Sequence, residues 1–244
     1  MMLEVDSIRV RYDVVPVLQG VSISMEEGEV AVLIGANGHG KTTLLRTISG
    51  LLRCETGKIM FEGEKISNFP PSEIVRRGVV HIPEGRRLFD GLTVLENLKL
   101  GAYLAHNWHQ REKNLKLVFS LFPHLDEIKN RLAWQLSGGE RQMTALGRGL
   151  MSSAKLLMID EASLGLAPTV AVDVYETIRE IHDTGVSLLI VEQNLKYVTD
   201  LASRMYLIEN GAVTLEGKPS EIADKIEYVK EAYLGRKSKS KENS

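Results

Sequence analysis

The chain has 244 residues, 43% hydrophobic and 25% charged, which supplies one or two domains with a sizeable core. Lys plus Arg number 30 against 32 Asp plus Glu, and this formal net charge of −2 argues against a surface built for nucleic acid. The single cysteine, Cys54, excludes an internal disulfide scaffold, the acidic start Met1-Met2-Leu3-Glu4 lacks the marks of a signal peptide, and no run approaches the ~20 apolar residues that cross a bilayer. A soluble, intracellular chain is expected.

Residues 1–30 place apolar side chains at Leu3, Val5 and Ile8, then at Val17, Leu18, Val21 and Ile23. Together with Lys58–Phe61, which precedes the turn Glu62-Gly63-Glu64, they predict an antiparallel sheet packed on the first strand of a larger core. That strand is Val30–Ile34. It and three later runs, Val79–Ile82, Leu156–Ile159 and Ser187–Val191, are short, apolar and not alternating, as suits strands of a parallel sheet buried on both faces. Between them, Thr42–Ser49 predicts a helix with Leu44, Leu45 and Ile48 on one face and Gly50 as its stop. Residues 93–153 have helical periodicity and hardly any strand signal, which predicts a helical insert. Val170–His182 predicts a second core helix, with Val170, Val174, Ile178 and Ile181 on one face, Pro168 before it and Gly185 after it. The tail 235–244 has no apolar residue and is expected to be disordered. The fold class is α/β.

The segment Gly35-Ala36-Asn37-Gly38-His39-Gly40-Lys41-Thr42 matches the phosphate-binding P-loop pattern and has its required context, a buried strand before and a helix after. Its glycines let successive backbone N–H groups turn toward phosphate oxygens, and the helix N-terminus adds a positive dipole end. The pattern gives Lys41 to the β- and γ-phosphates and the Thr42 hydroxyl to Mg²⁺, with Thr43 following in the first turn. His39 is not required by the pattern and reads as a solvent-side passenger. The strand Leu156–Ile159 ends in Asp160-Glu161, two adjacent carboxylates that suit two roles. Asp160 would hold the metal, and Glu161 would orient or deprotonate an attacking water.

Between these two motifs lies Leu136-Ser137-Gly138-Gly139-Glu140-Arg141-Gln142. The three motifs in this order make the chain resemble the nucleotide-binding subunits of ABC transporters over residues 2–234. The resemblance implies one ATPase domain, 1–234: a P-loop, RecA-like core with its antiparallel sheet (1–92 and 154–234) and a helical signature part (93–153). It implies ATP and Mg²⁺, and a dimer in which Ser137, Gly138 and Gly139 of one subunit face the γ-phosphate held by the other's P-loop. An ordinary helix cap at Ser137 is compatible with that. Tyr12 aligns with the aromatic residue that stacks on adenine, core packing being the alternative. Ala162 replaces the family's usual proline. Two further departures are larger. Glu84 stands where the family has a glutamine that senses Mg²⁺ and contacts the membrane subunits, and it is assigned to metal and catalysis. Gln193 stands where the family has a histidine that donates to the γ-phosphate, and it keeps a donor but cannot titrate near neutral pH.

The pairing of Pro83-Glu84-Gly85-Arg86-Arg87 with Val191-Glu192-Gln193-Asn194, together with Ser163–Pro168, is similar to the second ATPase of importers for branched-chain amino acids. In that branch both departures belong to the pattern. This implies a second, different ATPase subunit as partner, with a homodimer as the alternative. It further implies two integral-membrane permeases, an extracytoplasmic solute-binding protein, no nucleic acid, and a peripheral place on the cytoplasmic face of the inner membrane. An ATPase of a related amide or urea importer, or a soluble non-transport ABC ATPase, is the rival reading. Arg86 and Arg87 read either as contacts to an acidic helix of a membrane subunit or as solvated charges.

Overall fold

The computed structural model describes residues 1–222 and Lys225, with the backbone alone for 105–107. The predicted tail 235–244 and the last residues of the 1–234 unit lie outside the described residues. In chain order the strands are β1 (Leu3–Tyr12), β2 (Val15–Met25), β3 (Val30–Ile34), β4 (Thr56–Phe61), β5 (Glu64–Lys65), β6 (Val79–Ile82), β7 (Leu156–Asp160), β8 (Ser187–Val191), β9 (Arg204–Glu209) and β10 (Ala212–Gly217). The helices are α1 (Lys41–Ile48), α2 (Pro71–Arg76), α3 (Val94–Leu100), α4 (Ala105–Leu121), α5 (Pro123–Glu127), α6 (Gly138–Leu150), α7 (Pro168–Asp183) and α8 (Leu195–Val198).

Two sheets form, as the α/β reading anticipates. The first is antiparallel with order β2-β1-β4-β5. The second has order β10-β9-β3-β8-β7-β6, in which β9, β3, β8, β7 and β6 run parallel and β10 is an antiparallel edge. Four of its strands are the apolar runs of the sequence, and β3, β7 and β8 are buried at every residue. The other two, β9 and β10, have no counterpart among the predicted strands. β9 carries a short apolar run, Met205–Ile208, between the charged residues Arg204 and Glu209, and β10 has no buried residue and lies at the edge of the sheet.

Alternate residues of β3 serve two cores, because strand side chains point to opposite faces. Val30, Val32 and Ile34 pack with the helical side, which includes Leu98, Val118, Leu146 and Ile178. Ala31 and Leu33 pack with α1 and the antiparallel sheet through Leu44, Leu45, Ile8 and Ile59. The Tyr206 hydroxyl fastens the two sheets together: it donates to the Ser24 carbonyl at 2.6 Å and accepts from the Ser24 amide at 3.1 Å.

The parallel arrangement fixes where chemistry can happen. The loops that leave β3, β6, β7 and β8 emerge at one edge of the sheet, where open α/β sheets bind ligands. The helical stretch from α3 to α6 leaves the chain between β6 and β7, which are themselves paired neighbours.

Candidate functional site

The loop after β3 and the first turn of α1 form one wall of a cleft lined by Asn37, Gly38, Gly40, Lys41, Thr42 and Thr43. Glu84 from the loop after β6, and Glu161 and Leu164 from the loop after β7, complete it. The backbone path requires glycine at two points. At Gly35 (φ +150°) a Cβ would lie 2.2 Å from the Ile208 carbonyl oxygen, and at Gly40 (φ +105°) it would lie 2.7 Å from the Leu18 side chain. Gly40 also caps α1 without a side chain, so the first N–H groups of that helix face the cleft with no intrahelical acceptor.

Lys41 is 4% exposed and turns back on its own loop, donating to the Gly35 carbonyl at 2.8 Å and the Ala36 carbonyl at 3.0 Å. Its ammonium lies 4.0 Å from Glu161. Burial lowers the pKa of Lys41, while Glu161, Asp160 and Glu192 pull it the other way. Asp160, 2% exposed at the end of β7, accepts from the Thr42 hydroxyl at 3.2 Å through one oxygen. Its other oxygen is buried with no partner among the described residues. Burial pushes this carboxyl up to about 6 against the Thr42 bond, and Glu161 and Glu84 add to the rise. An orphaned carboxylate oxygen beside a threonine hydroxyl is a hard-oxygen donor set that suits Mg²⁺.

The Gln193 side-chain amide donates to Glu161 at 2.6 Å. Thus the carboxylate next to Lys41 and the glutamine after β8 form a pair across adjacent loops. Glu161 has φ +49°, and its N–H is held by the Val191 carbonyl at 3.0 Å. The group beneath this pair is one that sequence reasoning misses. Glu192, 2% exposed, accepts from the Ser163 hydroxyl, from the Tyr175 hydroxyl at 2.8 Å, and from the amides of Gln193 at 2.7 Å and Asn194 at 3.3 Å. Burial raises the Tyr175 phenol well above its ordinary value, with Glu192 adding to it, so Tyr175 stays a neutral donor. No spacing rule singles out Glu192, because its partners come from three separate elements.

Several predicted residues do not line the cleft. Tyr12 is 41% exposed at the end of β1, which rules out its packing in the core. His39 is half-buried in the loop: its ring Nδ1 is buried without a partner among the described residues, and its carbonyl accepts from Gly211 at 3.1 Å. Ser137, Gly138 and Gly139 stand at the start of α6. Ser137 and Glu140 form a reciprocal cap there, the Ser137 N–H reaching Glu140 at 2.7 Å. Burial of Glu140 works against its charge, but Ser137, His124 and Arg131 hold the carboxyl down at about 2. Gly139 has a packing reason of its own, since a Cβ would meet Val170 of α7 at 2.7 Å. Arg86 donates to the Leu164 carbonyl at 2.7 Å, an intramolecular role that neither expectation for it contains. Arg87 instead lines a separate, more apolar groove with Phe89, Leu100, Tyr103 and Arg148, between β6 and the helices α3 and α6. Among the described residues no helix is long and apolar enough to cross a membrane.

A sequence profile described as ABC transporter matches residues 18–164. The high-affinity branched-chain amino acid transport ATP-binding protein BraG of Pseudomonas aeruginosa is 40% identical over 96% of this chain and 100% of its own. The lipopolysaccharide export system ATP-binding protein LptB of Haemophilus influenzae is 31% identical over 91% of this chain and 92% of its own. A solved ATP-binding cassette of an ABC transporter in its ADP conformation superposes with a TM-score of 0.82 at 31% identity, covering 96% of this chain and 98% of that one.

Proposed function

Because the chain belongs to the ABC transporter family, as an ATP-binding subunit that hydrolyses ATP, we propose that it powers an importer for branched-chain amino acids. The observation that carries this reading is the 40% identity to BraG over the full length of that protein. In this reading the subunit sits on the cytoplasmic face of the inner membrane. It pairs with a second ATPase and seats two permeases, which receive solute from an extracytoplasmic binding protein. The apolar groove lined by Arg87, Phe89 and Tyr103 provides the seat for a permease segment.

At the cleft, Lys41 exchanges the carbonyls of Gly35 and Ala36 for the β- and γ-phosphates of ATP. The N–H groups at the start of α1 take the remaining phosphate oxygens. Thr42 and Asp160 hold Mg²⁺, with Glu84 beside them, and the ion when bound neutralises phosphate charge. Glu161 orients and deprotonates the attacking water, and Gln193 holds its carboxylate. Tyr12 covers the adenine, while Ser137, Gly138 and Gly139 close over the γ-phosphate of the partner subunit's ATP.

Purification of the chain from its own cells in mild detergent, with mass spectrometry of the co-purifying proteins, tests the assembly. Multi-spanning permeases and a second ATPase are expected, and loss of leucine, isoleucine and valine uptake when Lys41 is replaced by Ala. Recovery of soluble partners alone overturns the reading. The likeness to LptB favours a second reading, an ATPase of lipid export, for which branched-chain uptake survives the substitution.

A further inference from the structure

We infer that Glu192 is the positioning residue of the hydrolytic pair, a buried carboxylate that sets Glu161 and Gln193 in register. The inference rests on the proposed role of Glu161 in activating water. A carboxylate removed from water is costly unless several donors take up its charge. Glu192 is 2% exposed and has no cation within ion-pairing distance among the described residues, yet four donors converge on it. The division between its oxygens matters. Oε1 takes the hydroxyls of Ser163 and Tyr175, so it grips the loop two residues beyond Glu161 and the helix α7 behind it. Oε2 takes the amides of Gln193 and Asn194, so it caps the loop that carries the Gln193 side chain. One rigid group therefore ties together the two loops whose side chains meet in the 2.6 Å Gln193–Glu161 bond.

The site uses both oxygens of the side chain, one for two hydroxyls and one for two backbone amides. A glutamine offers one acceptor oxygen and an NH₂ group: turned toward the Gln193 and Asn194 amides the NH₂ sets donor against donor, and turned toward Ser163 and Tyr175 it forces both hydroxyls to reverse and accept. Glu192→Gln therefore keeps the size of the side chain and undoes one half of the clamp. Among the described residues the side chain makes no hydrogen bond or ion pair to the P-loop or to the Thr42–Asp160 pair and acts on Lys41 only through its charge, so its loss is expected mainly in the chemical step and not in ATP binding.

The test uses the full chain with Mg²⁺ at pH 7.5, measuring kcat for ATP hydrolysis alongside ATP affinity by equilibrium dialysis. Glu192→Gln is expected to lower kcat by about 10- to 100-fold, the range for a small misplacement of a catalytic group, with affinity unchanged within about twofold. Ser163→Ala removes one of the two donors to Oε1 and is expected to lower kcat less, and to add nothing on top of Glu192→Gln. A wild-type kcat in Glu192→Gln, or a loss confined to affinity, overturns the inference. Where Glu192→Gln does not fold, Ser163→Ala and Tyr175→Phe decide in the same way: lowered kcat at unchanged affinity supports it, wild-type kcat overturns it. Glu161→Gln is the control. If it turns over ATP at the wild-type rate, the reading of Glu161 fails and takes this inference with it; a silent Glu161→Gln beside an unaffected Glu192→Gln defeats the inference alone.

Discussion

Replacing Asp160 with Asn should make the nucleotide-free chain more stable while destroying its response to Mg²⁺ and ATP. Burial raises the Asp160 carboxyl from an ordinary 3.8 to about 6, and one oxygen has no partner among the described residues. An acid whose folded pKa is raised costs stability where it is ionised. Well below 3.8 it is protonated in both the folded and unfolded states and costs nothing. The cost grows as pH rises through the unfolded value and is complete above the folded value. A shift of this size corresponds to about 3 kcal/mol at pH 7.5 and to about half of that at pH 5. Asn cannot ionise and still offers an oxygen to the Thr42 hydroxyl. For a chain of this length the nucleotide-free variant should melt roughly 5–10 °C above wild type at pH 7.5, with the gap narrowing toward pH 5. Mg²⁺ and ATP at about 1,000 times the Kd should reverse the order, since ligand at that level adds about 4.1 kcal/mol to a chain that binds it. Differential scanning fluorimetry over pH 5–8, with and without Mg²⁺ and ATP, measures both effects. A variant that melts at or below wild type at pH 7.5, or a gap that does not narrow with acid, refutes the reasoning.

Three substitutions elsewhere have outcomes set by the geometry. Gly35→Ala drives a Cβ to 2.2 Å from the Ile208 carbonyl and should cost on the order of 3 kcal/mol or more in denaturant unfolding; a loss under about 1 kcal/mol would show that β9 yields. Gln193→His replaces a group that does not titrate with one that does, so the acid side of the pH–rate profile should differ from that of wild type by one additional ionisation; identical profiles would remove residue 193 from the chemical step. Ser137→Ala removes the cap of α6 and should cost about 1 kcal/mol of stability by chemical denaturation, with a larger proportional loss of turnover than of folded protein if Ser137 also meets phosphate.

The central strands and the phosphate loop are legible because each obeys a local rule. Val30–Ile34, Leu156–Ile159 and Ser187–Val191 announce double-sided burial by being apolar throughout, and the loop matches a pattern whose flanks can be checked. What fails to show depends on neighbours distant in sequence. Arg204–Glu209 carries the short apolar run Met205–Ile208, but nothing local to it announces that the Tyr206 hydroxyl joins the sheets or that the Ile208 carbonyl forbids a side chain at Gly35. The P-loop glycine is thus readable from its motif, while its steric cause lies in a strand far away in sequence. Arg86 is hard to read for a related reason. Its backbone has φ +63°, a conformation no periodicity reveals, and its side chain turns to Leu164. Glu192 escapes notice because a staple between loops has no spacing signature.

The helices from α3 to α6 begin and end on paired neighbours, with Val79 opposite Leu156 and Ile82 opposite Ile159. Strand pairing therefore already fixes the two points where this stretch leaves the sheet and returns to it. The closure entropy that a long excursion normally costs rises only slowly with its length, and here the anchor points are set whatever lies between them. The inner side of the stretch is held, since α6 packs on the sheet and starts with Ser137–Gly139, but its outer surface can be recast to seat a different membrane partner while the cleft keeps its registers. One ATPase scaffold can in this way serve importers and exporters alike, with selectivity for the partner written on the outer surface of helices whose inner faces the sheet holds.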